Sequence, residues 1–343
     1  MAGFHDFQII DRTPIYKQLV EQIETSVMSG KVKPGEPLPS MKELATMYDI
    51  SKETVKKAYG ILTRRGLLES FQGKGFFVRS KSIQLRKKVL LMVDTLSSFK
   101  QVFVNTFLEA LGNKAEAHIL VHNKDIDLFR YYLDQSLGKY DIYVIMPHFS
   151  RDEKSMKEVE RQISRIPSKQ LILADMLIES LPGDFGAVYQ DFYEGMMSSL
   201  TELLPDLRKY SHLDMFTLPN CLYGDIAELA VARFCDQNDY HTSFHHELSP
   251  KYFRKNQVCL FYNHIDQVML QLNEIAEKKG LVMGEDIKII SYNDSPICTL
   301  LCGGITTISV DFVKMGQQCA EMIKSGELSK IKADFKVIRR KTF

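Results

Sequence analysis

Two hydrophobic rhythms divide the chain. From Pro14 to Val78 apolar positions recur at helical spacing in short bursts, and from Val89 onward they gather into compact runs separated by amphipathic stretches. In the first region Ile15, Leu19, Ile23 and Val27 make one stripe of a helix that Pro14 opens and Gly30 ends. The rigid turn Lys33-Pro34-Gly35-Glu36-Pro37 leads to Ser40, with Glu43 three residues on. That spacing is a capping box and predicts a short helix with Met41, Leu44 and Ala45 turned inward. Met47 to Ile50 leaves room for only a tight turn before Ser51 caps a second helix, in which Val55, Ala58 or Tyr59, and Leu62 face inward. Two short helices joined this tightly form a helix-turn-helix. Gly66 stops the second helix, and β-like runs at 67–71 and 76–78 flank the turn Gln72-Gly73-Lys74-Gly75, so the unit reads as a winged helix. Residues 79–88 are polar, basic and without hydrophobic period, which marks a linker.

Beyond it, runs at 89–93, 117–121, 140–146, 170–174, 187–189, 213–218, 258–262 and 287–291 read as buried strands. Helical segments lie near 101–112, 126–138, 152–165, 192–204, 225–237 and 264–279. Such alternation implies parallel sheets covered on both faces, with ligands held beyond the carboxyl ends of the strands.

Charge sharpens this division. The 343 residues carry a formal net charge of only +1, but 16 Lys and Arg stand against 9 Asp and Glu through residue 88 (+7), leaving 28 against 34 in the remainder (−6). Residues 51–88 alone hold 11 cations and 2 anions, the footprint of a nucleic-acid face. Six cysteines, with no short paired spacing apart from Cys298 and Cys302, read as free thiols of a reducing cytoplasm, and no apolar run has the length of a membrane span or a signal. No glycine-rich dinucleotide or phosphate loop follows any strand, and no nucleophile-base constellation can be drawn from spacing. The His-rich stretch 241–247 looks extended and offers no third ligand at helical spacing. The expectation is therefore a cytoplasmic protein that is no enzyme and has no cofactor, metal or membrane partner.

The order Pro14-Ile15-Tyr16-Lys17-Gln18, Pro34-Gly35-Glu36-Pro37-Leu38-Pro39-Ser40, Leu44-Ala45, Ile50-Ser51-Lys52-Glu53-Thr54-Val55, Ala58-Tyr59, Gly66 and Gly73-Lys74-Gly75 resembles the head of GntR-family transcription regulators. That family usually has Arg where Lys42 and Lys52 stand here; Lys keeps phosphate binding but lacks the bidentate fork that reads guanine. Residues 281–294 (LVMGEDIKIISYND), Ile305-Thr306-Thr307-Ile308 and Met315-Gly316 resemble the sugar-sensing domain of LacI-type repressors and periplasmic sugar-binding proteins. The combination looks like the arabinose-repressor type. These resemblances imply a winged helix-turn-helix at 1–79, a linker at 80–88 and a two-lobed α/β domain at 89–343 that binds an effector and dimerises.

The implied DNA contacts are Ser40, Lys42, Ser51, Lys52, Glu53, Thr54, Lys56, Gln72, Gly73 and Lys74, with the start of the second helix in the major groove. Effector contacts are expected at strand ends: Asp94 and Phe99 after the first, His148 after the third, Asp175 at the fourth, and Asn263, His264 and Asn293 where the resemblance puts ligand residues. Phe99 reads equally well as core. The implied partners are an operator duplex, a small sugar and a second copy of the chain. A scarcity of cleft-facing Lys or Arg favours a neutral sugar over a phosphorylated one. A GntR head on a pyridoxal-phosphate aminotransferase-like body is the alternative.

Overall fold

The computed structural model describes residues 14–79, 86–219, 221–262 and 265–343, and contacts divide the chain into two compact units between Arg86 and Lys87. In the first unit α1 (Ile15–Met28), α2 (Met41–Met47) and α3 (Lys52–Arg64) precede a hairpin of β1 (Leu68–Phe71) and β2 (Gly75–Val78). The capping box closes in both directions: the Ser40 hydroxyl accepts from the Glu43 amide at 3.2 Å, and the Glu43 carboxylate accepts from the Ser40 amide at 2.7 Å. Ser51 caps α3 by accepting from the Thr54 amide at 3.1 Å.

Leu19, Ile23, Leu44, Val55, Ala58, Tyr59 and Leu62 are fully buried in one core. Both Ala58 and Tyr59 therefore face inward; the Tyr59 ring lies 4.7 Å from that of Phe76, and its hydroxyl donates to the Pro39 carbonyl at 2.7 Å. The segment before α2 does more than turn the chain. Val78 donates to the Glu36 carbonyl at 2.9 Å and Leu38 to the Phe76 carbonyl at 2.8 Å, so this segment lies along β2 and stiffens the wing.

The second unit holds β3 (Lys87–Val93), α4 (Ser98–Leu111), β4 (Ala115–Val121), α5 (Ile126–Ser136), β5 (Ile142–Ile145), α6 (Glu153–Ile163), β6 (Leu171–Asp175) and β7 (Gly186–Tyr189). It continues with α7 (Phe192–Leu207), β8 (His212–Thr217), α8 (Gly224–Gln237), β9 (His241–His245), β10 (Gln257–Tyr262), α9 (Ile265–Lys279) and β11 (Ile287–Tyr292). Last come β12 (Thr306–Val310), α10 (Phe312–Ser325), β13 (Lys330–Lys332) and β14 (Phe335–Ile338).

Two six-stranded sheets result, ordered β13-β7-β6-β5-β3-β4 and β14-β12-β11-β10-β8-β9. The chain passes between them after Tyr189, after Val310 and after Lys332, so short segments of three separate strands form the hinge of two lobes. All pairings are parallel save β12 with β14, which runs antiparallel. The sequence pattern missed β12, α10, β13 and β14 because their apolar runs are short or broken by Thr, Ser and Lys. The first strand also begins at Lys87, inside the segment read as linker.

The resemblance motifs now have physical reasons. Gly316 lies where α10 packs flush on α4: a Cβ there would stand 2.8 Å from the Phe103 carbonyl oxygen. Thr306 and Thr307 are fully buried, and the Thr306 hydroxyl accepts from the Arg340 amide at 2.9 Å, tying the last residues to β12.

Candidate functional site

The first unit presents one polar surface. Ser40, Lys42, Ser51, Lys52, Glu53 and Lys56 are exposed on α2, α3 and their caps, and Gln72, Gly73 and Lys74 are exposed at the tip of the hairpin. Gly73 takes a φ of +78°, which a side chain would strain, and the Lys74 amide donates to Phe71 at 3.0 Å to close the turn. Gly75 already belongs to β2, so the turn proper is 72–74. Thr54 is half-buried, and its hydroxyl shares a 2.8 Å hydrogen bond with that of Ser51. Lys57 lies 3.9 Å above the Tyr16 ring. The remaining ammonium groups here are anchored by little: the Lys56–Glu53 pair spans 3.4 Å in full solvent, where such pairs contribute next to nothing. A surface of this kind is free to exchange its counterions for phosphates.

The second unit encloses a cavity between its lobes. Its empty space is about 470 Å³ counting the mouth. Asp94, Phe99, His148, Asp175 and Asn293 all line it. Strand register brings them together: β3, β5 and β6 run parallel, so the residues after their carboxyl ends emerge side by side. Asn263 and His264 lie outside the described residues.

Asp175 is the centre of the polar wall. It is fully buried with φ +73°, a left-handed conformation that Asp tolerates better than most residues. His148 Nε2 lies 2.8 Å from one carboxylate oxygen and the Lys100 ammonium 3.7 Å from the same one; the Gln190 amide donates to the other. Burial alone would raise the Asp175 carboxyl, but His148 and Lys100 outweigh it and hold its pKa at about 2. Asp175 is thus ionised, which makes His148 Nε2 the donor of their bond. Asp94 is also depressed, burial being overcome by Lys100, whose ammonium it binds directly, and by His148. On the other lobe Tyr292 donates to the Gln190 side-chain carbonyl at 3.0 Å. Buried hydrogen bonds therefore link Tyr292 of one lobe through Gln190 at the hinge to Asp175 and His148 of the other, and the Asp175–Lys100 ion pair carries the run on to Asp94.

Aromatic faces complete the walls. Phe192 and Tyr223 stack at 4.7 Å with planes 4° apart, and Tyr262 and Tyr292 at 4.5 Å and 28°. Phe99 borders the cavity while its ring rests 5.3 Å from Phe312, so it serves core and cavity together. Asn293 faces the cavity with φ +67°, whereas its neighbour Asp294 is turned away into a bidentate pair with Arg340 at 2.8 and 3.0 Å.

Lys100 corrects the expectation of a cleft short of cations. The helix was read from residue 101, yet α4 begins at Ser98, and Lys100 shares a face with the buried Phe103, Val104 and Phe107. A lysine on an apolar stripe was the available signal. Gln190 and Tyr223 gave none, standing in the connections from β7 to α7 and from β8 to α8, whereas Tyr292 is the last residue of β11 and had its strand end as a signal.

Among the described residues no group of His, Cys, Asp or Glu is arranged to hold a metal ion, and β9 confirms that the His-rich stretch is extended. Likewise no described helix is long and apolar enough to cross a membrane.

Comparison with known proteins follows this two-unit division. Residues 15–78 match the model of bacterial regulatory proteins of the gntR family, and residues 237–337 match a periplasmic binding protein-like domain. The HTH-type transcriptional repressor YtrA of Bacillus subtilis is 35% identical over 95 residues, which are 27% of this chain and 71% of that one. The arabinose metabolism transcriptional repressor of Geobacillus stearothermophilus is 21% identical over 356 aligned positions covering 90% of each chain. The solved trehalose repressor from Escherichia coli superposes with a TM-score of 0.58 at 15% identity, covering 74% of this chain and 99% of that one, a likeness of fold. No support emerges for an aminotransferase-like body. With its winged-helix head and its two-sheet, periplasmic-binding-protein-like body, this chain belongs to the GntR family of DNA-binding bacterial transcription regulators.

Proposed function

We propose that the protein is a homodimeric repressor of carbohydrate-utilisation genes, released from or directed to its operator by a small sugar held between the lobes of the body. In this reading residues 1–79 grip DNA, with Lys52, Thr54 and Lys56 in the major groove and Gly73-Lys74 against phosphate or the minor groove; residues 80–88 link, and 89–343 sense and dimerise. Asp94, Phe99, His148, Asp175 and Asn293 contact the effector, and Asn263 and His264 join them by their place after β10.

The observation that carries the proposal is the make-up of the cavity: buried carboxylate, amide and imidazole groups on one wall and stacked aromatic faces on the others. A sugar ring offers hydroxyls to the first and a C–H face to the second. Asp94 and Asp175 are matched by Lys100, which lies between them, and by Lys124 at the lining, so the wall carries no net positive charge to draw a phosphate. This favours an uncharged pentose or deoxyhexose. Names of relatives, the arabinose and trehalose repressors, point the same way.

A thermal-shift screen of the full-length protein against pentoses, deoxyhexoses, hexoses and their phosphates tests it. The melting temperature is expected to rise with one neutral sugar and not with its phosphate ester. A rise with phosphate esters alone, or with no sugar at all, overturns the effector assignment.

A further inference from the structure

Helix α3 carries a glycine whose missing side chain would touch no described residue. Gly60 lies in mid-helix, and a Cβ built there would meet no atom within 4 Å. Glycine in a helix interior costs about 0.5–1 kcal/mol relative to alanine. No described residue of the head fills the room this leaves, so it stands open to a partner.

Helical spacing shows what shares this side. Glu53, Lys56, Lys57, Gly60 and Arg64 follow one another at intervals of one, three or four residues, opposite the buried Val55, Ala58, Tyr59 and Leu62. Along this side the only acid of α3 stands among cations. The Glu53 side chain is 80% exposed, and its ion pair to Lys56 spans 3.4 Å with the lysine 66% exposed. The head favours this carboxylate only through its place in the first turn of α3 and the exposed pair with Lys56, and on a face that meets a polyanion it would be repelled wherever it met a phosphate. In the major groove the groups that attract a carboxylate are the exocyclic amines, and cytosine N4 is its ordinary partner because that amine only donates.

The geometry points to Glu53 as a specificity-determining residue that accepts a hydrogen bond from a cytosine amine in each half-site, with Gly60 the point where the helix backbone comes nearest the groove wall. This rests on the family's DNA binding by the head and adds the base that one side chain selects.

Selection from a random duplex library with full-length wild type, E53A and E53Q tests it. Wild type is expected to fix a cytosine at one position of each half-site by roughly tenfold over other bases. E53A should lose preference at that position and keep it elsewhere, while E53Q, which can both donate and accept, should move it toward adenine. Gly60→Ala should melt at or above the wild-type temperature yet bind the selected operator several-fold more weakly. If E53A and E53Q select the wild-type sequence unchanged and merely bind more tightly, Glu53 reads no base. If Gly60→Ala binds as wild type, nothing approaches this side and the assignment falls. If wild type itself selects no sequence, DNA reading by the head falls first and the proposal with it.

Discussion

The two working surfaces of this protein handle charge in opposite ways. On the head Lys42, Lys52, Lys56 and Lys74 stand in solvent, and the Lys56–Glu53 pair is exposed on both sides, so removing these charges costs the fold little. In the body the carboxylates of the cleft are buried and each is bound: Asp94 by Lys100, and Asp175 by His148, Lys100 and Gln190, which Tyr292 holds in turn. A surface that recognises a polyanion works through charges that can be transferred from solvent ions to phosphates. A pocket for a small polar molecule must instead fix its groups beforehand, because a buried charge left alone costs several kcal/mol. Stability and ligand binding should thus be separable in the head and inseparable in the cleft.

The sharpest break of that contrast is Asp175→Ala. It strips Lys100 and His148 of a buried partner and puts alanine at φ +73°, so unfolding in urea should show a loss of roughly 4 kcal/mol together with lost sugar binding. Asp175→Asn, which tolerates the backbone, separates the charge from the strain. A variant that lost sugar binding at full stability would show that the cleft is built more like the head.

Next in size is a pH effect. His122 is fully buried against Phe149, 4.5 Å away, with Nε2 3.1 Å from the Met146 carbonyl, and burial pushes its pKa down from 6.5 to about 4. Between those values the unfolded chain binds a proton that the folded one refuses. Stability should therefore fall as the pH is lowered from 6.5 to 4, by about 3 kcal/mol, with no further loss from this group below that. Urea titrations across this range, repeated on His122→Asn, should show a flatter profile in the variant. An equal slope in both would assign the effect elsewhere.

Tyr292→Phe removes a hydroxyl that joins the second lobe to Gln190. The expected cost is about 1 kcal/mol, read as a roughly fivefold weaker sugar affinity by calorimetry. At the head, Lys52→Ala and Lys56→Ala should leave the melting temperature almost unchanged. Each should lower operator affinity across sequences and reduce the slope of log K against log salt by about 0.9. Destabilisation by either lysine substitution would dissolve the distinction between the two surfaces.

The same contrast explains what could be read from the sequence. The head was legible almost to the residue, since caps, the tight turn and the wing are local: Ser40 and Glu43 lie three residues apart and bond each other. Most strands of the body announced themselves as apolar runs, and strand ends pointed to Asp94, His148, Asp175 and Asn293 as neighbours. What escaped was made by distant contacts. Lys100 reads as a surface residue until Asp94 and Asp175 surround it, and Gln190 has no pattern at all, because it takes its role from β6 on one side and β11 on the other. The C-terminal strands were missed for a similar reason, being held by tertiary hydrogen bonds such as that from the Arg340 amide to Thr306.

The central claim, that occupancy of the cleft governs the grip of the head, is tested most directly by titrating a selected operator duplex with the full-length protein while varying the sugar that raises its melting temperature. Operator affinity should change at least fivefold at saturating sugar, about the smallest effect expected of coupled sites, and should not respond to sugar in Asp175→Asn. Equal operator affinity with and without a sugar that demonstrably binds would contradict the account.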